Sequence, residues 1–209
     1  MIQDTDRPLK ICQNSGLYSG VRQLVPGQVR IIGGMWRGRK LKVPDLAGLR
    51  PTPDRVRETL FNWLQPIIAG AHCLDMFAGS GALGFEALSR GAATVDMVDQ
   101  ARQVVDLLHA EAEKFAATNV NIYTAMAPKQ LHRPSRLYDI VFIDPPFGED
   151  LLLPCCHFLE ENSFLADEAY IYLEAKAPLD ATLLPPNWQL LKNKKAGKVA
   201  YHLVLRSKE

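Results

Sequence analysis

The feature that most constrains this chain is a short apolar run, residues 72–77, that leads into Asp75-Met76-Phe77-Ala78-Gly79-Ser80-Gly81-Ala82-Leu83-Gly84. Gly79, Gly81 and Gly84 in GxGxxG spacing after such a run predict a strand, a tight turn and a helix. The alternation continues downstream. Residues 94–99 read as a strand, and 101–116 as a helix with Val104, Leu108, Ala112 and Phe115 on one stripe. Residues 120–124 and 138–144 read as strands, 151–160 as a helix and 169–174 as a fifth strand. This order predicts an α/β fold, a mostly parallel sheet with helices on both faces. Residues 188–192 and 198–206 flank Lys194-Lys195-Ala196-Gly197 and predict a terminal hairpin that adds antiparallel edge strands.

The N-terminal part is organised differently. Residues 1–28 mix Gly, Ser, Pro and polar residues without periodicity and read as a flexible basic arm. Residues 29–32 and 40–43 flank the basic turn Gly33-Gly34-Met35-Trp36-Arg37-Gly38-Arg39 and predict a hairpin. Thr52-Pro53 reads as an N-cap and first turn of a helix that runs to about Leu64 and stops at Pro66. The expected divisions are therefore 1–28 arm, 29–48 basic hairpin and 49–209 main domain. From Arg7 to Pro44 there are eight basic residues and no acidic one, although the whole chain carries only +1. The remainder is then at −7, so positive potential gathers on one face. A nucleic-acid partner and a solvated basic tail both fit that pattern.

With 47% hydrophobic and 22% charged residues the chain is globular rather than disordered. It shows neither an export-type apolar region nor a run long enough to span a membrane, so a cytoplasmic protein is expected. Cys12, Cys73, Cys155 and Cys156 match no zinc spacing, nor do the five histidines, so no metal site is expected.

Glycine turns of this kind serve both dinucleotides and S-adenosylmethionine. Asp75 helps to separate them. Its carboxylate beside the turn would repel a pyrophosphate and attract an ammonium and a sulfonium. Asp99 closes the second strand 18 positions beyond Gly81, where a carboxylate can accept both ribose hydroxyls. Capping the following helix is the other role open to it. The fourth strand ends in Asp144-Pro145-Pro146-Phe147. Two prolines make a rigid, extended exit, and neither carries an N–H. Asp144 and the proline carbonyls are acceptors, and Phe147 is a flat face. An exocyclic amine on a base needs two acceptors for its protons and a surface on which its ring can stack. Its lone pair is delocalised into the ring, so holding it pyramidal and in line with the methyl donor is the catalytic task.

The four segments RIIGGMWRGRKL (30–41), RPTPDRVRETLFNWL (50–64), FAGSGALGFEALSRGA (77–92) and FIDPPF (142–147), with AGKVAYHLVLR (196–206), resemble the bacterial 16S ribosomal RNA guanine-N2 methyltransferase family. The resemblance implies a Rossmann-like class I methyltransferase fold, seven strands in the order 3-2-1-4-5-7-6, with an N-terminal β-hairpin extension. It implies S-adenosylmethionine as cofactor and the N2 of one guanine as methyl acceptor. The partner it implies is 16S rRNA in an assembled or partly assembled small ribosomal subunit, met by a monomer without metal. Catalysis is placed on Asp144, Pro145, Pro146 and Phe147. The cofactor falls to Asp75, Phe77, Ala78, Gly79, Ser80, Gly81, Asp99, Gln100, Met126 and Ala127. RNA and substrate contacts fall to Arg30, Trp36, Arg37, Arg39, Lys40, Arg50, Thr52 and Arg55, with Trp36 at the hairpin tip stacking either on a base or within the hairpin. Met126 departs from the family pattern, which has an acidic or amide side chain for the adenine amine there. Thioethers accept hydrogen bonds poorly, so backbone groups near Ala127 would read adenine. Three alternatives remain open: a DNA adenine-N6 methyltransferase, a protein-glutamine methyltransferase, and a non-catalytic RNA-binding assembly factor.

Overall fold

Apolar residues fill both sides of the central strands. Along β6 (Tyr138–Ile143), Ile140 and Phe142 join one core cluster, while Val141 and Ile143 join another. A strand apolar on both sides has to lie inside a sheet that is covered on both faces. In the computed structural model, which describes residues 27–44, 52–146 and 148–208, that sheet has seven strands. The other six are β3 (His72–Asp75), β4 (Thr94–Asp99), β5 (Val120–Thr124), β7 (Leu165–Ala175), β8 (Trp188–Ala196) and β9 (Val199–Ser207). Their spatial order is β5-β4-β3-β6-β7-β9-β8. The pairs among β5, β4, β3, β6 and β7 are parallel, and β9 is antiparallel to both β7 and β8. This is the 3-2-1-4-5-7-6 arrangement of the class I methyltransferase fold.

Helices α1 (Asp54–Leu64), α2 (Ala82–Ser89) and α3 (Arg102–Phe115) supply the first core cluster. Val104, Leu108, Ala112 and Phe115 form the buried stripe of α3. Helix α4 (Leu152–Glu161) covers the opposite face with Cys155, Cys156 and Leu159. The topology reverses at β3, since β4 and β5 lie to one side and β6 to the other. A crevice at the carboxyl ends of the strands opens at such a point.

Several boundaries differ from those expected. The terminal strands are longer, because Lys194, Lys195 and Ala196 pair with Tyr201, Ala200 and Val199 instead of forming an open loop. Strand β7 begins at Leu165, which pairs with Tyr138. The expected N-cap Thr52 is replaced by Pro53, with no side-chain cap bond. The Thr52 hydroxyl instead donates to Asp144 Oδ2 at 3.4 Å.

The N-terminal hairpin is β1 (Gln28–Arg30) against β2 (Lys40–Lys42). It does not stand away from the body, for Ile31, Trp36 and Leu41 belong to the same core cluster as α1–α3. Trp36 therefore does not stack on a base at the hairpin tip. It is buried with its ring 4.9 Å from that of Phe115 and 6.4 Å from that of Phe85. Two side chains of α2 fasten the hairpin. The carboxylate of Glu86 accepts from the Ile32 and Gly33 amides at 2.7 and 2.8 Å. Ser89 Oγ accepts from the Trp36 amide at 2.9 Å, and the Ser89 carbonyl accepts from that of Met35 at 2.8 Å. At Gly34 the backbone has φ +74°, and an added Cβ would stand 1.7 Å from the Ser89 carbonyl oxygen. Only glycine permits this approach.

Candidate active site

Each of four adjacent strands ends in a carboxylate at the same edge of the sheet. In spatial order they are Asp99 on β4, Asp75 on β3, Asp144 just beyond β6, and Glu174 near the end of β7. All four line one cavity of about 1020 Å³, with Lys129 as the cation among its lining residues. Such a wall repels a pyrophosphate and attracts a cationic ligand.

The glycine turn sets the near wall. Gly81, in the left-handed conformation at φ +72°, caps α2, and a Cβ there would come within 2.7 Å of Leu108 and Phe85. Gly81 does not itself line the cavity, whereas Phe77, Ala78, Gly79 and Ser80 do. Gly84 lets α2 approach β4, since an added Cβ would meet the Met97 side chain at 2.5 Å.

Asp75 does two things at once. Its Oδ2 accepts from the Gly84 amide at 3.1 Å, and the residue still lines the cavity. Burial pushes its carboxyl up to about 7, against the Gly84 hydrogen bond, which lowers it. Asp99 holds two backbone amides and also lines the cavity. Oδ1 accepts from the Ala101 amide at 2.9 Å, as a helix-start contact, and Oδ2 accepts from the Gly79 amide at 3.0 Å. Each carboxylate oxygen keeps a second acceptor direction for a ligand hydroxyl. Gln100, Met126 and Ala127 complete this end. Met126 is 57% exposed, and its amide donates to Gln130 Oε1.

Asp144, Pro145 and Pro146 form the far wall. The two prolines differ, contrary to the expectation that both carbonyls are free. The Pro146 carbonyl accepts from the Glu149 amide at 3.3 Å. The Pro145 carbonyl has no donor among the described residues. Asp144 is partly buried, and its carboxyl is held well above the ordinary range by burial and by the charges of Glu174 and Asp75. Phe147, Arg50 and the arm up to residue 26 lie outside the described residues.

The sequence alone gives Glu174 no role. A signal is nonetheless there, since Glu174 ends a buried strand in the way Asp144 ends the neighbouring one. The basic candidates lie away from this cavity. Arg30, Arg37, Arg39, Lys40 and Arg55 are exposed on the hairpin and α1. Arg39 is partly occupied, its Nη2 donating to the Lys114 carbonyl at 2.6 Å and its guanidinium lying 4.0 Å from the Phe115 ring centre. Among the described residues, no group of His, Cys, Asp and Glu is arranged to hold a metal ion, and no helix is long and apolar enough to cross a membrane.

A family model described as "Conserved hypothetical protein 95" matches residues 29–205. The chain is 51% identical over 180 residues to the ribosomal RNA small subunit methyltransferase D of Escherichia coli K12, covering 86% of this chain and 91% of that one. It is 45% identical over 182 residues to the Haemophilus influenzae protein of the same name, covering 85% and 93%. A solved Escherichia coli structure bearing a methyltransferase designation superposes with a TM-score of 0.79 at 50% identity. That match covers 88% of this chain and 100% of the other.

Proposed function

The chain belongs to the ribosomal RNA small subunit methyltransferase D family, and on that premise we propose that it transfers a methyl group from S-adenosylmethionine to the exocyclic N2 of one guanine in 16S rRNA. The observation that carries this reading is the row of carboxylates at the carboxyl edge of β4, β3, β6 and β7, joined to the rigid Asp144-Pro145-Pro146 exit. The cavity, at the upper end of small-molecule sites in size, has room for a nucleoside cofactor and a flipped base.

S-adenosylmethionine fits this wall through its charge and supplies an electrophilic methyl on sulfur. Asp75 and the amides of the glycine turn face its methionyl part, and Asp99 faces its ribose hydroxyls. Near Met126 and Ala127, backbone groups read the adenine. On the far side, Asp144 and the Pro145 carbonyl each accept a hydrogen bond from one N–H of the guanine amine, while Thr52 orients Asp144. Phe147 follows on the chain and offers the base a stacking face. Asp144 acts as an acceptor, and the proton released after transfer goes to water.

Asp75 gives this site a pH dependence. Below about 7 its carboxyl takes up a proton and loses its attraction for the cationic cofactor. Cofactor affinity is therefore expected to be about 25-fold weaker at pH 5.5 than at pH 7.5, the ratio of ionised fractions for such a pKa. Calorimetric titration at the two values checks this, and equal affinities would remove the ionised Asp75 from cofactor binding.

The exposed basic residues Arg30, Arg37, Lys40 and Arg55 form the RNA-docking face on this reading. Replacing Arg37 and Lys40 together by alanine is expected to weaken RNA binding at low salt. It should also reduce the slope of log affinity against log salt by roughly 0.7–0.9 for each phosphate no longer neutralised. Binding curves at several salt concentrations read both, and an unchanged slope would exclude the pair from docking.

The partner on this reading is the small subunit, assembled or partly assembled, met by a single copy of the chain in the cytoplasm. Offering labelled S-adenosylmethionine with small subunits lacking the modification, naked 16S RNA or duplex DNA tests it. Label on the subunit supports the proposal. Label on DNA adenine would move the protein to the DNA class, and cofactor binding without transfer would favour an assembly factor.

A further inference from the structure

Glu174 is a buried carboxylate of the cavity wall to which the methyl-transfer reading gives no task. In the β6–β7 pairing Ile143 stands opposite Leu173. One step further along the same parallel register, Asp144 stands opposite Glu174. Neighbouring strands lie about 4.8 Å apart, so the two side chains point from adjacent positions toward the same side of the sheet. Both line the cavity, and Glu174 is only 5% exposed. Its Oε2 accepts from the Tyr172 hydroxyl at 2.9 Å, whereas Oε1 has no donor among the described residues.

Two carboxylates facing each other in a shielded wall are unfavourable in isolation. Burial holds the Glu174 carboxyl above its ordinary range, and at Asp144 the Glu174 charge adds to the same effect. A ligand that presents adjacent hydrogen-bond donors relieves the repulsion. Among the RNA bases, guanine alone carries an exocyclic amine next to a ring N–H. Its N1 proton and the two N2 protons make three donors along one edge. In adenine and cytosine the ring nitrogen beside the amine is an acceptor, which a carboxylate repels.

We propose that Glu174 accepts a hydrogen bond from the N1–H of the target guanine, beside the amine held by Asp144 and the Pro145 carbonyl, and so makes the site specific for guanine. This rests on the guanine-N2 reading above and adds a residue-level reason for it. Hydrogen-bond recognition of this type discriminates strongly, because an analogue without the donor leaves a buried acceptor unpaired.

The test uses small subunits reconstituted with either guanine or 2-aminopurine at the target position. 2-Aminopurine keeps the amine on C2 but has an acceptor at N1. The wild-type protein is expected to prefer guanine by at least about 100-fold in kcat/KM. In Glu174→Gln the amide can donate to N1, so the preference should collapse toward one or invert. In Glu174→Ala, kcat/KM for guanine should fall and the ratio should approach one. A wild-type enzyme that methylates both bases equally well, or variants that keep the wild-type ratio, would overturn the inference. The wild-type arm does not depend on how any variant folds. Absence of transfer to the guanine subunits by wild type would instead sink the guanine-N2 reading itself.

Discussion

Replacing Asp144 by alanine is expected to lower the rate of methyl transfer by roughly 10²–10³-fold, the loss typical of one preorganised electrostatic contact. Cofactor affinity should change far less, because Asp75, Asp99 and the glycine turn remain. The size of the effect follows from the nucleophile. An aromatic amine shares its lone pair with the ring, and accepting hydrogen bonds from its N–H groups returns that pair to nitrogen as the bond to carbon forms. The ionised carboxylate does this best, since protonation turns one oxygen into a donor and leaves only a weaker, neutral carbonyl acceptor. Burial, together with the charges of Glu174 and Asp75, holds the Asp144 carboxyl well above the ordinary range. Activity should therefore fall as pH falls, beginning at higher pH than an exposed aspartate would dictate. Single-turnover rates at saturating cofactor, across pH and for Asp144→Ala, check both statements. A loss of less than about threefold would remove Asp144 from the reaction, against an expectation built on this interaction.

The second large effect lies away from the chemistry. Glu86→Ala is expected to destabilise the protein by about 3–5 kcal/mol, the range for breaking a buried ion pair from one side. Glu86 is fully buried, and its carboxylate accepts from the Ile32 and Gly33 amides and from Arg90 Nε at 2.7 Å. Arg57 is also fully buried, with Nη1 3.7 Å from Glu86 Oε2. Its Nη2 donates to the Arg30 carbonyl and to Asp54 Oδ1, but Nε and Nη1 have no hydrogen-bond partner. Removing Glu86 leaves that guanidinium without its buried counter-charge and the two hairpin amides without acceptors. Denaturant unfolding reads the stability, and hydrogen exchange at Ile32 and Gly33 reads the hairpin. A loss under about 1 kcal/mol, with both amides still protected, would contradict the role assigned to Glu86. Arg30, Arg37 and Lys40 ride on this hairpin, so its release should also cost RNA affinity.

The contrast between these two residues shows what a sequence makes legible. Asp144 is announced by local pattern, a buried strand ended by an acid and two prolines, and nothing remote is needed to see it. The strands and helices from residue 72 onward were legible for the same reason, as alternation and the α3 stripe are short-range signals. Strand order came from the family resemblance, since periodicity does not say which strands are neighbours. Glu86 and Arg57 read as ordinary polar positions of two helices. Their burial depends on meeting each other and on a hairpin more than 50 positions away from Glu86. Trp36 is ambiguous in the sequence, where stacking on a base and packing against other side chains are both open. In a glycine-rich basic turn it reads as a tip residue, but Phe85 and Phe115 enclose it from α2 and α3. Glu174 carries no decisive local signal, because an acid at a strand end gains meaning only beside its neighbour, and Asp144 lies alongside it one step beyond the Ile143–Leu173 pair.

The central claim is the identity of the atom methylated. Ribosomal RNA from cells lacking this protein, complemented with wild type or with Asp144→Ala, can be digested to nucleosides and resolved by mass spectrometry. The account predicts N2-methylguanosine from one position of 16S rRNA with wild type and its loss with the variant. The same N2-methylguanosine content in both complemented cells, or a methyl group found on adenine instead, would contradict it.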